Sequence, residues 1–586
     1  MDFQDDLVDY YRRELSYLRE SGDDFSKRYP KVANRLSFSG IESKDPHTER
    51  LLESFAFLTA RIQREIDREF PSTTNAILEN LSPNLTQTIP SIGVVQMSLD
   101  PTQGKVMSGI RVQKGTALQT PPISGQICRF QTSWDTDLWP LLISSTHVEN
   151  SRSLCLKFET TAEIELHELE LDRLRLHVSG DLSNAMPLYD MLTSNLELIE
   201  IVNASNDKAH KLSSNQFVEV GYSDSDQVLP ANNNLYPAYS LLQEYFAFPR
   251  KFLFFDLKGL KGLLGTGSQF TLKFTFKSTF RALSSVNKNT FQLGCTPCIN
   301  LFQTTSEPIE YDQHKHEYLL VADYQREAFT EIHSIQSLIA SDPDAAQPIT
   351  VPNIFATNGP EDRNNSLHWS YRKQASLRKG ISGTDTFLSF IDRQKVSTDS
   401  NNPIMFAKVL CTNRHWAEQI APGTKLIGEL ISSSIEVTNL YEPSSQKDPL
   451  SYDKSLFSLI EILRLNHQSL LEGDNALDKL TRLLLLFSGE FATNQSQIRG
   501  IKSIKVKPSI TRIGRDNWRG HCMGYDIWLD IDESNFVGGS ILIFCGVLAR
   551  FFALYTTTNS YTRVGVMRNG EIWRQWPPFA GWQCLI

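Results

Sequence analysis

Cysteine is scarce in this chain, with eight residues among 586, most of them far apart. Thiols this sparse do not form a disulfide framework; they suit a reducing compartment and are expected to stay free. Positive charge is in deficit: 58 Lys and Arg stand against 67 Asp and Glu, a formal net charge of -9. That balance excludes a chain that coats nucleic acid or an anionic membrane over its whole surface, although it allows a local basic patch. Membrane-length hydrophobic runs are missing too. The most apolar stretch, ILIFCGVLARFFALY from Ile541 to Tyr555, is interrupted by Arg550 and falls short of the roughly 20 residues a spanning helix needs, so it reads as a buried helix. The opening MDFQDDLVDYY is acidic and lacks a secretory pattern, which makes the cytoplasm the expected location. No repeat of solenoid length occurs.

What is present is the composition of a folded protein, 40% hydrophobic and 21% charged. A chain of this length divides into roughly three or four domains. The expected layout is α+β and multidomain: an N-terminal helical module at 1–90, a β-rich domain at 91–290, a mixed α/β domain at 291–450 and a C-terminal region at 451–586.

Helical period dominates the start. Tyr11 and Leu15 lie on the apolar side of an opening helix, which Pro30 interrupts. In DPHTERLLESFAFLTARIQREIDREFP, Asp45 is a candidate N-cap, Pro46 suits the first helical position, and Pro71 closes the segment. Leu51, Phe55, Leu58, Ile62 and Ile66 recur at steps of three and four and form one stripe, while Arg61, Arg64, Glu65, Asp67 and Arg68 fall largely outside it. Such a stripe needs a cover. From Ile92 the period becomes two: FTLKFTFK places Phe270, Leu272, Phe274 and Phe276 on one face of a half-buried strand. Ser455–Asn466 and Ala476–Phe487 suggest paired helices, followed by strands at Ile501–Val506 and Tyr525–Ile531.

Candidate chemistry is thin. Cys295 and Cys298 form a lone CxxC, but a redox dithiol needs a depressed thiol pKa and a structural zinc needs two further ligands, neither of which is evident; the apolar flanks suggest a buried strand. His314 and His316 have strand spacing without a third ligand, and read as a solvated turn. Gly262–Ser268 lacks the GK[ST] of a phosphate loop and reads as a hairpin turn. Lys502, Lys505, Lys507, Arg512 and Arg515 are the densest basic cluster; a solvated strand face and a dock for an acidic protein both account for it better than nucleic acid.

Several stretches together resemble the TssF family, also called VasA or ImpG, of the bacterial type VI secretion baseplate. They are YYRRELSYLRE (Tyr10–Glu20), FSKRYPKVANRL (Phe25–Leu36), DPHTERLLESFAFLTARI (Asp45–Ile62), IPSIGVVQ (Ile89–Gln96), LLQEYFAFPRKFLFF (Leu241–Phe255), CINLF (Cys298–Phe302), EPIEYD (Glu307–Asp312), CTNRH (Cys411–His415), LDIDESNF (Leu529–Phe536) and WPPFAG (Trp576–Gly581). Their order and spacing fit along nearly the whole chain. The pattern departs at Phe579, where an arginine is common, and at Cys295.

The resemblance implies a structural wedge subunit without catalytic residues, cofactor or metal, similar to contractile phage baseplate wedge proteins. It implies partners TssG, a second TssF copy, TssE and TssK, in a cytoplasmic baseplate docked at the inner membrane complex, on which tail tube and sheath assemble. Phe551 and Trp576 join Tyr11, Leu15 and the Leu51–Ile66 stripe as interface candidates. Phe55→Asp and Ile62→Asp are expected to weaken complex formation or solubility, since a charge would enter a buried stripe. A component of another phage-like contractile injector, or a thiol redox or metal protein using the CxxC, are the alternatives.

Overall fold

A computed structural model of the chain describes residues 10–12, 14–19, 27–29, 31, 46–47 and 49–62 and, apart from single positions, 83–99, 109–161, 164–203, 209–230, 237–279, 283–311, 315–341, 348–354, 367–392, 403–449, 476–513 and 520–581. Two compact units divide the chain: Met1–Glu79 with Leu450–Ser458, and Asn80–Pro449 with Leu459–Ile586. In the first unit, residues 10–12, 14–19, 46–47 and 49–62 are helical, as the apolar period predicts. Arg19 donates to the Glu49 carboxylate at 2.5 Å and ties the two helical stretches together. Asp45, Ile66, Arg515 and the expected Ser455–Asn466 helix lie outside the described residues.

The second unit is β-rich. Six antiparallel strands close a barrel in the order Ile92–Leu99, Cys295–Ile299, Arg129–Thr132, Ala117–Gln119, Lys425–Gly428 and Ile435–Asn439. These strands come from both sides of residue 290, so the boundary expected there runs through one body. Alternation along the first strand serves two cores. Val95 and Met97 point into the barrel with Leu118, Phe130 and Val437, while Ile92 and Val94 face outward against Trp134, Phe248, Phe254 and Leu301.

Gln269–Phe276 is central in a five-stranded sheet, between Leu196–Asn203 and Ser153–Thr160. Its four apolar residues are buried and its intervening residues half-exposed, the expected alternation. Phe270 stands opposite Phe158 in register, and their rings stack at 4.8 Å. The glycine-rich Gly262–Ser268 is a turn, but it joins Phe254–Lys258 to Gln269–Phe276, strands of two different sheets, so it is not a hairpin. Gly265 has φ +66°, and a Cβ there would meet the Asn203 amide at 2.3 Å.

Among the described residues, the region expected to be mixed at 291–450 holds strands and short 3₁₀ turns. The sheet of Phe302–Thr305, Ile404–Thr412, Glu331–Ser341 and Ile349–Val351 shares a core with the sheet of Tyr318–Leu320, Thr384–Asp392 and Leu367–Ala375; Leu338, Met405, Ala407, Val409, Leu388 and Trp369 are buried in it.

The C-terminal sheet runs Ile501–Ile513, Gly520–Ile531, Ser560–Arg568, Glu571–Gln575, with Phe579–Ala580 pairing to Ser560–Arg568. Gly520–Ile531 and Ser560–Arg568 are parallel. A parallel pair needs a crossover, and the Ile541–Tyr555 helix supplies it. Apart from half-buried Arg550 this helix is apolar around its circumference and largely buried, as expected. Phe544 and Phe551 meet Tyr245 and Tyr239 of the Pro237–Ala247 helix at ring distances of 5.6 and 5.8 Å.

At its start the Ser540 hydroxyl accepts from the Ile543 N–H at 2.9 Å and donates to Asp190 of the Leu182–Ser194 helix. Burial pushes the Asp190 carboxyl up to about 7, against the opposing pull of the Ser540 hydrogen bond and Arg574. A raised carboxyl pKa favours the protonated form in the fold, so its contribution to stability is full below the ordinary carboxyl range and is lost as pH rises toward 7.

Cys295 and Cys298 sit on one fully buried barrel strand. Three residues apart on a strand, they face opposite sides: Cys298 belongs to the barrel interior and Cys295 to the core outside it. Burial pushes both thiols up, Cys298 to about 12. Such thiols are neither nucleophiles nor co-ligands, and the redox reading has no geometry to stand on.

Two outcomes are expected. Asp190→Asn will flatten the pH dependence of urea unfolding between about pH 4 and 7, a window worth on the order of 3–4 kcal/mol in the parent chain. An unchanged profile would remove Asp190 as its source. Neither Cys295 nor Cys298 will react with an aromatic disulfide reagent before unfolding, and Cys295→Ala with Cys298→Ala will stay folded; rapid native labelling would contradict this placement.

Candidate docking surfaces

The helix at 49–62 divides its surface unusually. Its inward face carries Leu52, Ala56, Thr59 and Ala60, with both alanines fully buried. Small residues let a helix pack closely on its neighbour. The large apolar side chains go elsewhere: Leu51, Phe55, Leu58 and Ile62 are between 55% and 71% exposed. At 3.6 residues per turn these four share one flank, away from exposed Arg50, Glu53 and Arg61. Phe57, on the charged side, is exposed as well. Tyr11 and Leu15 are half-buried. Over its four described members, Leu51, Phe55, Leu58 and Ile62, the stripe predicted from periodicity therefore exists as a stripe, and these side chains are exposed.

The other interface candidates are placed differently. Phe551 is wholly buried in the crossover helix, against Tyr239 and Phe552. Trp576 is buried too; its backbone N–H donates to the Val564 carbonyl at 3.0 Å and the Arg574 guanidinium lies over its ring. Both side chains are spent on this chain's own core, and neither offers surface to a partner. Phe579, where an arginine was anticipated, places its ring 5.5 Å from the Arg550 guanidinium, a contact that a second cation could not make.

Lys502, Lys505, Lys507 and Arg512 all lie exposed on Ile501–Ile513, the outermost strand of its sheet. Lys502 is 3.3 Å from Asp532. Sequence reasoning missed two residues beside them, Ile510 and Met523, which face each other across the hairpin and are 62% and 72% exposed. The signal was available: Ile504, Val506 and Ile510 share one parity, but the apolar pattern does not say where the core beneath it stops.

Of the sequence landmarks, EYFAFPRKF and CTNRH hold buried polar locks. Glu244, fully buried, accepts from the N–H groups of Val228 and Leu229 at 2.7 and 2.8 Å and pairs with Lys251, itself 1% exposed. Arg414 adopts φ 50° and its Nε donates to the Glu327 carbonyl at 3.3 Å. His316 is exposed, and neighbouring Glu317 pairs with Arg372 at 2.7 Å; His314 lies outside the described residues. Among the described residues, no helix is long and apolar enough to cross a membrane.

Comparison with known proteins places these features in a family. The family model for type VI secretion system TssF matches residues 3–583. Type VI secretion system component TssF1 of Pseudomonas aeruginosa is 31% identical over 600 aligned positions, which span 96% of this chain and 97% of that protein. A chain in the cryo-electron microscopy structure of the TssK-TssF-TssG baseplate subcomplex superposes with a TM-score of 0.74 at 23% identity, covering 90% of this chain and 98% of that one. A chain of the baseplate complex from the type VI secretion system gives a TM-score of 0.60 at 20% identity, over 99% and 100% of the two chains. A match that runs almost from end to end, over both units and all the landmarks above, leaves one conclusion: the chain belongs to the TssF family of the type VI secretion system.

Proposed function

We propose that this chain is a structural wedge subunit of a type VI secretion baseplate, assembling with TssG and TssK and, further, with TssE and a second copy of itself. It acts by presenting large protein interfaces and not by catalysis. In this reading the baseplate lies on the cytoplasmic side of the inner membrane complex and is the platform on which tail tube and sheath grow, as in the contractile phage wedges it resembles.

The observation that carries the reading is the 49–62 helix, with alanines inward and Leu51, Phe55, Leu58 and Ile62 outward. A soluble monomer gains nothing from that arrangement. Fully burying a side chain of this size is worth about 1.5–3 kcal/mol, so a stripe of four supplies the core of a stable interface. The mixed charges on the rest of the helix differ from the Lys-rich face of a membrane-surface helix, so the cover is protein. Helices of TssG and of the second copy are the natural cover, in a shared bundle that also takes in Tyr11 and Leu15.

Because the stripe is exposed in the chain itself, the effect expected of acidic substitutions there narrows. Phe55→Asp and Ile62→Asp will leave the isolated protein folded and no less soluble. Both will lower recovery of the complex with coexpressed TssG, by about tenfold or more. Size-exclusion chromatography with light scattering reads the result. A parent chain that remains a monomer beside TssG would overturn the function, and full assembly of both variants would overturn the stripe.

A further inference from the structure

The hairpin of Ile501–Ile513 and Gly520–Ile531 changes character along its length. Near its base it belongs to the core: Ile527 and Leu529, opposite Val506 and Ile504, are fully buried. Further out on the same face Ile510 and Met523 stand opposite each other in solvent. Exposed cations flank them on two sides, Arg512 on their own face and Lys505 and Lys507 on the reverse. Unlike Lys502, these three have no ion-pair partner among the described residues.

Lysines and a proline on an outer strand are a familiar guard against stray strand pairing, and Lys505, Lys507 and Pro508 fit that use. The guard does not explain Ile510 and Met523. Two large apolar side chains placed together in solvent work against it, and they are the kind of pair that a partner's pocket covers.

We propose that the outer half of this hairpin is a docking arm, received by an acidic cleft on a partner protein. Carboxylates of the cleft meet Lys505 and Lys507 on one face and Arg512 on the other, and its apolar floor takes Ile510 and Met523. The distribution of charge selects a protein over a lipid surface. A plane of anionic headgroups reaches one face of a hairpin at a time, and a single apolar pair buries too little to anchor in acyl chains. A cleft closes on both faces.

The inference rests on the baseplate reading, which supplies the partner subunits for its test. In a Cys522→Ser, Cys584→Ser background, Ile510→Cys and Met523→Cys are labelled with maleimide, in the free chain and in the complex reconstituted with TssG and TssK. Val537→Cys, an exposed site elsewhere, is the control. Assembly is expected to abolish labelling at 510 and 523 and leave 537 unchanged. Lys505→Glu, Lys507→Glu and Arg512→Glu combined should restore it without altering thermal unfolding of the free chain. Full labelling in an assembled complex would overturn the arm and leave the baseplate reading intact. Failure of the parent chain to assemble would overturn both. Protection of the free chain by phosphatidylglycerol vesicles would replace the acidic protein with a membrane.

Discussion

The pairing of Glu244 with Lys251 is the constraint around which the second unit is arranged. Both charges are removed from water, at a cost that only near-complete satisfaction offsets: Lys251 on one carboxylate oxygen, the Val228 and Leu229 N–H groups on the other. The pair fixes how the Pro237–Ala247 helix turns into the Pro249–Phe252 3₁₀ segment and the Phe254–Lys258 strand. Upstream of that turn, Tyr239 and Tyr245 meet the crossover helix. Downstream, Phe248 and Phe254 fill the core on the outside of the barrel. Two hydrophobic assemblies far apart in sequence are thereby set by one short stretch.

A second lock joins the barrel to the neighbouring sheets. Asn413 and Asn300 bind each other twice, Asn300 Nδ2 donating to the Asn413 side chain at 2.8 Å and Asn413 N–H donating to the Asn300 side chain at 2.7 Å. Each also holds the backbone of Arg129 in the barrel. Beside them Glu331, fully buried, accepts from Thr384 and from Gln446 at 2.7 Å, close to Arg414. Buried polar networks of this kind specify how sheets meet. The carboxylate of half-buried Asp190 is met in the same way, by the Ser540 hydroxyl.

The surfaces differ in kind from these locks. On the 49–62 helix the inward residues are small and the outward ones large, so Leu51, Phe55, Leu58 and Ile62 remain exposed. The C-terminal hairpin keeps a charged and apolar end beyond its core.

Local pattern by itself determined the apolar stripe, the alternating Phe270–Phe276 strand, the buried Ile541–Tyr555 helix and the placement of the CxxC on a buried strand, because each depends on nearest neighbours along one element. The ordered landmarks determined the family. Tertiary structure alone decided that residues 91 to 449 build one barrel and its attached sheets, since strand partners hundreds of residues apart are chosen by closure and by buried polar locks. It also decided that Phe551 and Trp576 face inward while Phe55 and Met523 face out. An apolar side chain looks the same in sequence whether its cover comes from its own chain or from another, and only the fold shows which residues are still uncovered.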